Sequence, residues 1–180
     1  QLEGLAELQA RVDQTTHEVA EYLRWVFSLR KADPQDDLIS RLIAADEDGK
    51  QLDEDEVIGT CILLLVAGHE TTVNLIGNGT LAMMRHRDQW ETLVRDPGLA
   101  RNATEELLRY DSPVQMTTRV AFEPIALDHG IVLPPATEVL FVLGSANRDP
   151  DAFAEPDRLD LTRKVDRIMS FGMGIHFCLG

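Results

Sequence analysis

The sequence predicts an α+β fold that is mainly α. Apolar residues recur at three- and four-residue spacings from the start of the chain to Tyr110, the mark of amphipathic helices. Short β-branched runs bounded by Pro and Gly begin only after Pro113, and they read as strands. Helices followed by strands is the order of an α+β chain. With 180 residues, 44% of them hydrophobic and 27% charged, the composition suits a single soluble domain with a real core.

The elements follow in order. Residues 2–31 place Leu5, Leu8, Val12, Val19, Leu23, Val26 and Phe27 at helical spacing, and "KADPQDD" then interrupts at Pro34, which cannot continue a helix interior. A short helix near "DLISRLIAAD" ends at the polar "DEDGK". A long helix starts at Asp53: Asp53 and Glu56 have the spacing of a cap and its reciprocal acid, and acids suit the positive helix end. From Val57 the run "VIGTCILLLVAG" is apolar on every face. A membrane span needs about 20 such residues, and this run meets His69 and Glu70 sooner, so it reads as a helix buried in a soluble core. Continuing to about Arg85, it would be ~50 Å long at 1.5 Å per residue. Helices near 87–95 and 98–109 follow, with "DPG" as the stop between them. "TTRVAF", "IVLP" and "TEVLFVLG" read as strands, and "NRDP" to Ser170 as irregular chain with about one helical turn.

The formal net charge of −14, with no block of Lys or Arg, excludes nucleic acid as a partner. Two cysteines, Cys61 and Cys178, make no disulfide framework, which points to a reducing, cytoplasmic compartment. The opening "QLEGLAELQARVDQ" is amphipathic, unlike a signal peptide, and lacks an initiating Met. Residues 1–180 are therefore expected to form one partial domain that begins partway through a larger protein.

The chain ends "FGMGIHFCLG". Cys61, within "GTCILLL", reads as a small buried hydrophobe. Cys178 differs, because Gly172, Gly174 and Gly180 surround it and let backbone N–H groups approach its sulfur. Zinc would want further ligands at short spacing, and there is no C-x-x-C. A catalytic thiol with His176 as its base is one use of the pair. A metal needing a single protein thiolate is another, and haem iron is such a metal, its equatorial ligands coming from the porphyrin.

This segment resembles the haem-binding signature of the cytochrome P450 monooxygenases, F-x-x-G-x-[RH]-x-C-x-G, and three further motifs resemble the same family in the same order. "AGHETT" at 67–72 is similar to the motif of its central helix, "EELLRY" at 105–110 to its E-x-x-R helix, and "PDRLD" to its P-x-R-F segment, with Leu159 in place of the aromatic. "SPVQMTTR" at 112–119 and "SANRDP" at 145–150 resemble its bacterial branch. Members are about twice as long or more, so the resemblance implies a partial cytochrome P450 fold that stops at the signature.

The roles below are what that resemblance implies. Cys178 ligates the iron of haem b, with Phe171, Gly172 and Gly174 shaping its loop and Arg119 and His176 holding the propionates. Ala67 and Gly68 lie where the central helix loosens to admit dioxygen, and Glu70 and Thr71 relay protons so that the O–O bond breaks heterolytically. From the residues alone, Glu70 and Thr71 are polar groups in an apolar helix, either functional or facing solvent. Glu106 and Arg109, one helical neighbour apart, would otherwise be surface decoration. The family buries them to brace the cysteine loop, and Arg158 would complete the cluster through its planar guanidinium. Val114, Gln115 and Met116 fall where substrate is touched. The implied protein is a soluble bacterial monooxygenase that acts on O2 and a small apolar organic substrate. Its electrons come from a ferredoxin or flavodoxin with its reductase. A peroxygenase or a haem-binding module on the same scaffold, and a helical interaction protein with an incidental cysteine loop, are the rival readings.

Overall fold

The computed structural model describes residues 2–47, 49–165 and 167–180, which leaves Asp48 of "DEDGK" and Asp166 of the irregular stretch outside the described residues. The chain packs as two units that divide between His69 and Glu70, inside the long helix.

The first unit contains α1 (Leu2–Ala32), α2 (Leu38–Ala44), the pair β1 (Asp46–Glu47) and β2 (Lys50–Gln51), and the first half of α3 (Glu54–Arg85). α1 ends just before Pro34, with Arg30 and Lys31 in its last turn, where cations face the negative helix end. α2 begins at a side-chain cap: Ser40 N–H donates to Asp37 Oδ1 at 2.9 Å. The Arg30 guanidinium also donates to Asp37, and the two contacts hold that carboxyl at about 2. The cap expected at α3 forms in both directions. Glu56 N–H donates to Asp53 Oδ1 and Asp53 N–H donates to Glu56 Oε2, each at 2.9 Å. Arg24 of α1 reaches Asp55 at 3.1 Å, and Phe27, Val57 and Ile58 are buried. The β1–β2 hairpin has no hydrophobic alternation, and so no signal in the sequence.

α3 has the predicted length and is helical throughout, through Ala67–Thr72 as well. By length and composition it is long and apolar enough to cross a membrane. Burial on all faces is not met within the described residues: Leu63, Leu65, Val66 and Val73 are all more than half exposed. The reason is local. Buried positions cluster at Val57 and Ile58 near one end of α3, and at Ala82 and Met83 near the other.

The second unit is built on the end of α3, α4 (Arg87–Arg95), a 3-10 turn at Pro97–Leu99 and α5 (Ala100–Tyr110). Ala82, Met83, Ala103, Leu159 and Leu161 form its core, with Trp90, Leu93, Leu107 and Tyr110 packed around them. Gly79 lets α3 approach α5, since a Cβ there would lie 3.2 Å from Leu107 Cδ1. Residues 159–163 belong to no helix or strand, yet their backbone is held by side chains of the helices. Leu161 N–H donates to Gln89 Oε1 at 3.0 Å, and Asn102 Nδ2 donates to the carbonyls of Leu161 and Arg163 at 2.6 and 2.8 Å.

β3 (Thr117–Val120) pairs antiparallel with β6 (Glu138–Phe141), Thr117 opposite Phe141. The predicted strand in "IVLP" is β5 (Val132–Leu133), and its partner is β4 (Ile125–Ala126), too short to be read from the sequence. "TEVLFVLG" is a strand only to Phe141 and then becomes α6 (Leu143–Ala146). There Leu143 turns into the protein, and Gly144 lies so close to Gln115 that a Cβ would collide with its Oε1. From Asn147 to Ser170 the described residues form turns and bends, as expected.

Candidate functional site

The densest polar cluster is centred on Glu106 and Arg109, both fully buried on α5. Their spacing of three puts them one above the other on one helix face. Arg109 Nε donates to Glu106 Oε2 at 2.7 Å and Nη2 to Oε1 at 2.9 Å, a bidentate pairing. The remaining donors reach backbone carbonyls from the downstream chain: Nη1 to Asn147 and Pro156 at 2.9 and 2.8 Å, and Nη2 to Arg158 at 3.2 Å. Asp160 N–H donates to Glu106 Oε1 at 3.0 Å. A buried pair stands only when its remaining donors and acceptors are satisfied, and here the irregular chain satisfies them.

The arginine that completes this cluster is Arg163, a correction to the expected Arg158. Arg163 Nε donates to Glu106 Oε1 at 3.2 Å, and its other nitrogens reach the carbonyls of Ala154, Glu155 and Arg158. The Arg158 side chain is 59% exposed and pairs with Glu155 on the surface; only its carbonyl joins the cluster. Glu155, at φ 46 just ahead of both arginines, meets each of them: its carboxylate pairs with Arg158 on the surface and its carbonyl accepts from Arg163.

Beside it sits a second buried group that sequence reasoning missed. Asn147 Nδ2 donates to Ser112 Oγ at 2.7 Å and Ser170 Oγ at 2.9 Å, while Asn147 Oδ1 accepts from Met169 N–H at 2.7 Å. Both serine hydroxyls donate at 2.8 Å to the carbonyl of Leu108, near the end of α5 where helix carbonyls lack intrahelical partners. The one available signal was that these residues stand inside the quoted "SPVQMTTR", "SANRDP" and the run leading to "FGMG".

The cysteine loop begins where that group ends. Gly172 and Gly174 adopt φ +71 and +75, the left-handed region that favours glycine. The Phe171 carbonyl accepts from Cys178 N–H at 3.0 Å, and the rings of Phe171 and Phe177 stand 6.2 Å apart. Cys178 is free and exposed, its Sγ 3.5 Å from the carbonyl of Gly180. Cys61, by contrast, is partly covered, and burial pushes its thiol up. Among the described residues no cluster of His, Cys, Asp and Glu is arranged to hold a metal ion. A single soft thiolate donor suits a metal whose other ligands come from a prosthetic group, so the residues present fit haem.

The other predicted residues sit as follows. Thr71 is half-buried on α3 and Glu70 is exposed one position earlier. A Cβ added at Gly68 would meet nothing within 4 Å. Arg119 on β3 is exposed and donates to Thr117 Oγ1 at 3.1 Å and the Thr118 carbonyl at 2.7 Å. His176 closes a 3-10 turn, Gly174–His176, and is exposed. Val114 is half-buried and Met116 exposed, while Gln115 Nε2 donates to the Ser112 carbonyl at 2.6 Å.

The family model for Cytochrome P450 matches residues 1–96 and 98–180. The chain is 48% identical over 161 residues to a vitamin D(3) 25-hydroxylase of Pseudonocardia autotrophica, covering 88% of this chain and 40% of that protein. It is 47% identical over 159 residues to a biotin biosynthesis cytochrome P450 of Bacillus subtilis, with coverage of 88% and 40%. Among solved structures, substrate-free CYP109E1 from Bacillus megaterium superposes with a TM-score of 0.95 at 40% identity, covering 99% of this chain and 46% of that one. P450BioI, solved in complex with an acyl carrier protein ligated to hexadec-9Z-enoic acid, matches with a TM-score of 0.85 at 45% identity, covering 91% and 41%. The chain spans about two fifths of the length of the curated relatives it matches.

Proposed function

The chain belongs to the cytochrome P450 family, and on that footing we propose that the whole protein is a haem-thiolate monooxygenase inserting one oxygen atom from O2 into a small apolar organic substrate. One observation carries the reading: a free, exposed thiol on a loop whose two left-handed glycines follow directly on the buried polar clusters of α5. Haem, when bound, supplies one-electron and O2 chemistry that thiolate ligation favours.

The chain's own residues do the rest. Cys178 would ligate the iron, and Phe171, Gly172 and Gly174 hold the loop that would present it. Arg119 and His176 would hold the propionates; both are exposed, with donors to offer. Ala67 and Gly68 would keep bulk away from the turn of α3 that precedes Glu70 and Thr71, whose carboxyl and hydroxyl would hold and pass protons. Val114, Gln115 and Met116 face the substrate. Glu106, Arg109 and Arg163 support the loop without touching reactants. We place the protein in the cytoplasm with a ferredoxin or flavodoxin and its reductase as electron source; the bacterial matches and the lack of a disulfide among the described residues support this.

The test uses the full-length protein. Cys178→Ala should abolish the red-shifted Soret band of the ferrous–CO complex, and Cys61→Ala should leave it in place. An unchanged carbonyl spectrum in Cys178→Ala would sink the haem-thiolate assignment.

A further inference from the structure

We infer that Asn147 is the positioning residue that ties the buried Glu106–Arg109 pair to the start of the cysteine loop. The inference rests on the haem-thiolate reading only for the importance of that loop. Asn147 is fully buried, and among the described residues no buried side-chain nitrogen or oxygen lacks a partner. Its backbone N–H closes α6 on the Leu143 carbonyl, a capping task that makes no use of the side chain. Its carbonyl accepts from Arg109 Nη1 at 2.9 Å. Its side chain then reaches the other way, to Met169 N–H and Ser170 Oγ. The carbonyl of the residue after Ser170, Phe171, accepts from the Cys178 amide N–H. A continuous path of hydrogen bonds and two peptide steps therefore runs from the Arg109 guanidinium to the Cys178 backbone.

The chemistry at this point asks for a carboxamide. The hydroxyls of Ser112 and Ser170 lie 3.1 Å apart and each reaches the Leu108 carbonyl at the shorter distance of 2.8 Å; with their protons on that carbonyl they face Asn147 as acceptors. Whatever stands between them must donate twice and must also accept once from Met169. The two N–H groups and single carbonyl of asparagine meet that demand. A carboxylate would set an acceptor against two acceptors, and a glutamine would carry its amide one methylene too far for a fully buried site.

The test is hydrogen exchange on the full-length, haem-loaded protein, followed by mass spectrometry of peptides covering Met169–Cys178 and, as reference, Glu106–Tyr110. Asn147→Asp should speed exchange in the loop about tenfold relative to α5, because buried groups lose their partners locally. Ser170→Ala, which removes one arm and keeps the fold neutral in charge, should give a smaller rise in the same peptides. Leu161→Ala is the control, a core truncation away from the path. It should lower global stability and leave the ratio of loop to helix exchange unchanged. The fraction of carbonyl complex in the thiolate-type band should fall in Asn147→Asp while total bound haem holds, a signature that general destabilisation does not give. Equal loop-to-helix ratios in Asn147→Asp, Ser170→Ala and Leu161→Ala would overturn the inference. Absence of the thiolate-type band in the unsubstituted protein would overturn the haem-thiolate reading alone, and the exchange ratios would still decide the role of Asn147.

Discussion

Replacing Arg163 and Arg158 in turn by alanine separates a buried contact from a surface one at neighbouring points of one loop. The Arg163 side chain is 13% exposed against a Glu106 side chain that is fully buried, and it also donates to three carbonyls. Breaking a buried ion pair costs about 3–5 kcal/mol when the remaining charge is stranded. Glu106 is not stranded here, because Arg109 stays bidentate on it and Asp160 N–H still donates. Charged hydrogen bonds contribute about 1.5–3 kcal/mol each, and the outer carbonyls recover water, so Arg163→Ala should cost ~2–4 kcal/mol. The Arg158–Glu155 pair has both side chains mostly exposed, 59% and 72%, which limits Arg158→Ala to about 0–1 kcal/mol. In urea unfolding of the full-length protein, followed by circular dichroism, Arg163→Ala should lower the midpoint by roughly 1 M and Arg158→Ala by only a few tenths. Haem occupancy should fall in the first and hold in the second. Equal or larger loss in Arg158→Ala would refute the assignment of Arg163 as the completing arginine.

Thr71→Ala should retain haem and substrate binding while diverting reducing equivalents from product to hydrogen peroxide, and equal product per cofactor oxidised would refute its role. Asp37 supplies a pH test: its folded carboxyl is held at about 2, chiefly by Arg30 and then by Ser40 N–H, against an ordinary 3.8. A depressed value means stability that is full above 3.8 and lost as the pH falls through about 2. The stability gap between Asp37→Asn and the unsubstituted protein should therefore be flat near neutrality and close between those values. The 180-residue chain expressed alone should show no cooperative thermal transition and no stoichiometric thiolate-type band. Leu63, Leu65, Val66, Val73 and Ile76 are all more than half exposed on one helix, and each apolar side chain left in water forfeits about 1.5–3 kcal/mol of burial. A sharp transition with full haem ligation would contradict that expectation.

Helices were legible in the sequence because their signals are local. Pro34, the Asp53–Glu56 cap and the "DPG" stop each mark an end through the chemistry of a few adjacent residues. The two-residue strands β1, β2 and β4 escaped because they offer too few positions for alternation to register. The change from β6 to α6 escaped for another reason: burial of Leu143 and the close approach of Gly144 to Gln115 are tertiary facts. Glu106 and Arg109 were readable as a pair from spacing, but their burial was readable only through resemblance. Arg158 and Arg163 differ in sequence by five positions and in fate entirely, since only Arg163 meets the buried Glu106, a contact made by the tertiary path of the chain. Asn147, Ser112 and Ser170 are far apart in the chain, and no periodicity could have joined them.

The stretch from Leu159 to Arg163 has a consequence of a different kind. A strand in a sheet is placed by a repeating ladder, so it can slip by two residues and still find equivalent partners. This stretch has no ladder: Gln89, Asn102 and Glu106 each grip one or two named peptide groups, and Leu159 and Leu161 fill the core between them. Every grip is unique, so no shifted alignment satisfies a subset of them. Length is therefore the quantity conserved by the physics here. Exchanging the exposed Thr162 costs a local hydroxyl contact to Asp160, whereas inserting or deleting one residue would unseat the backbone contacts and both leucines together.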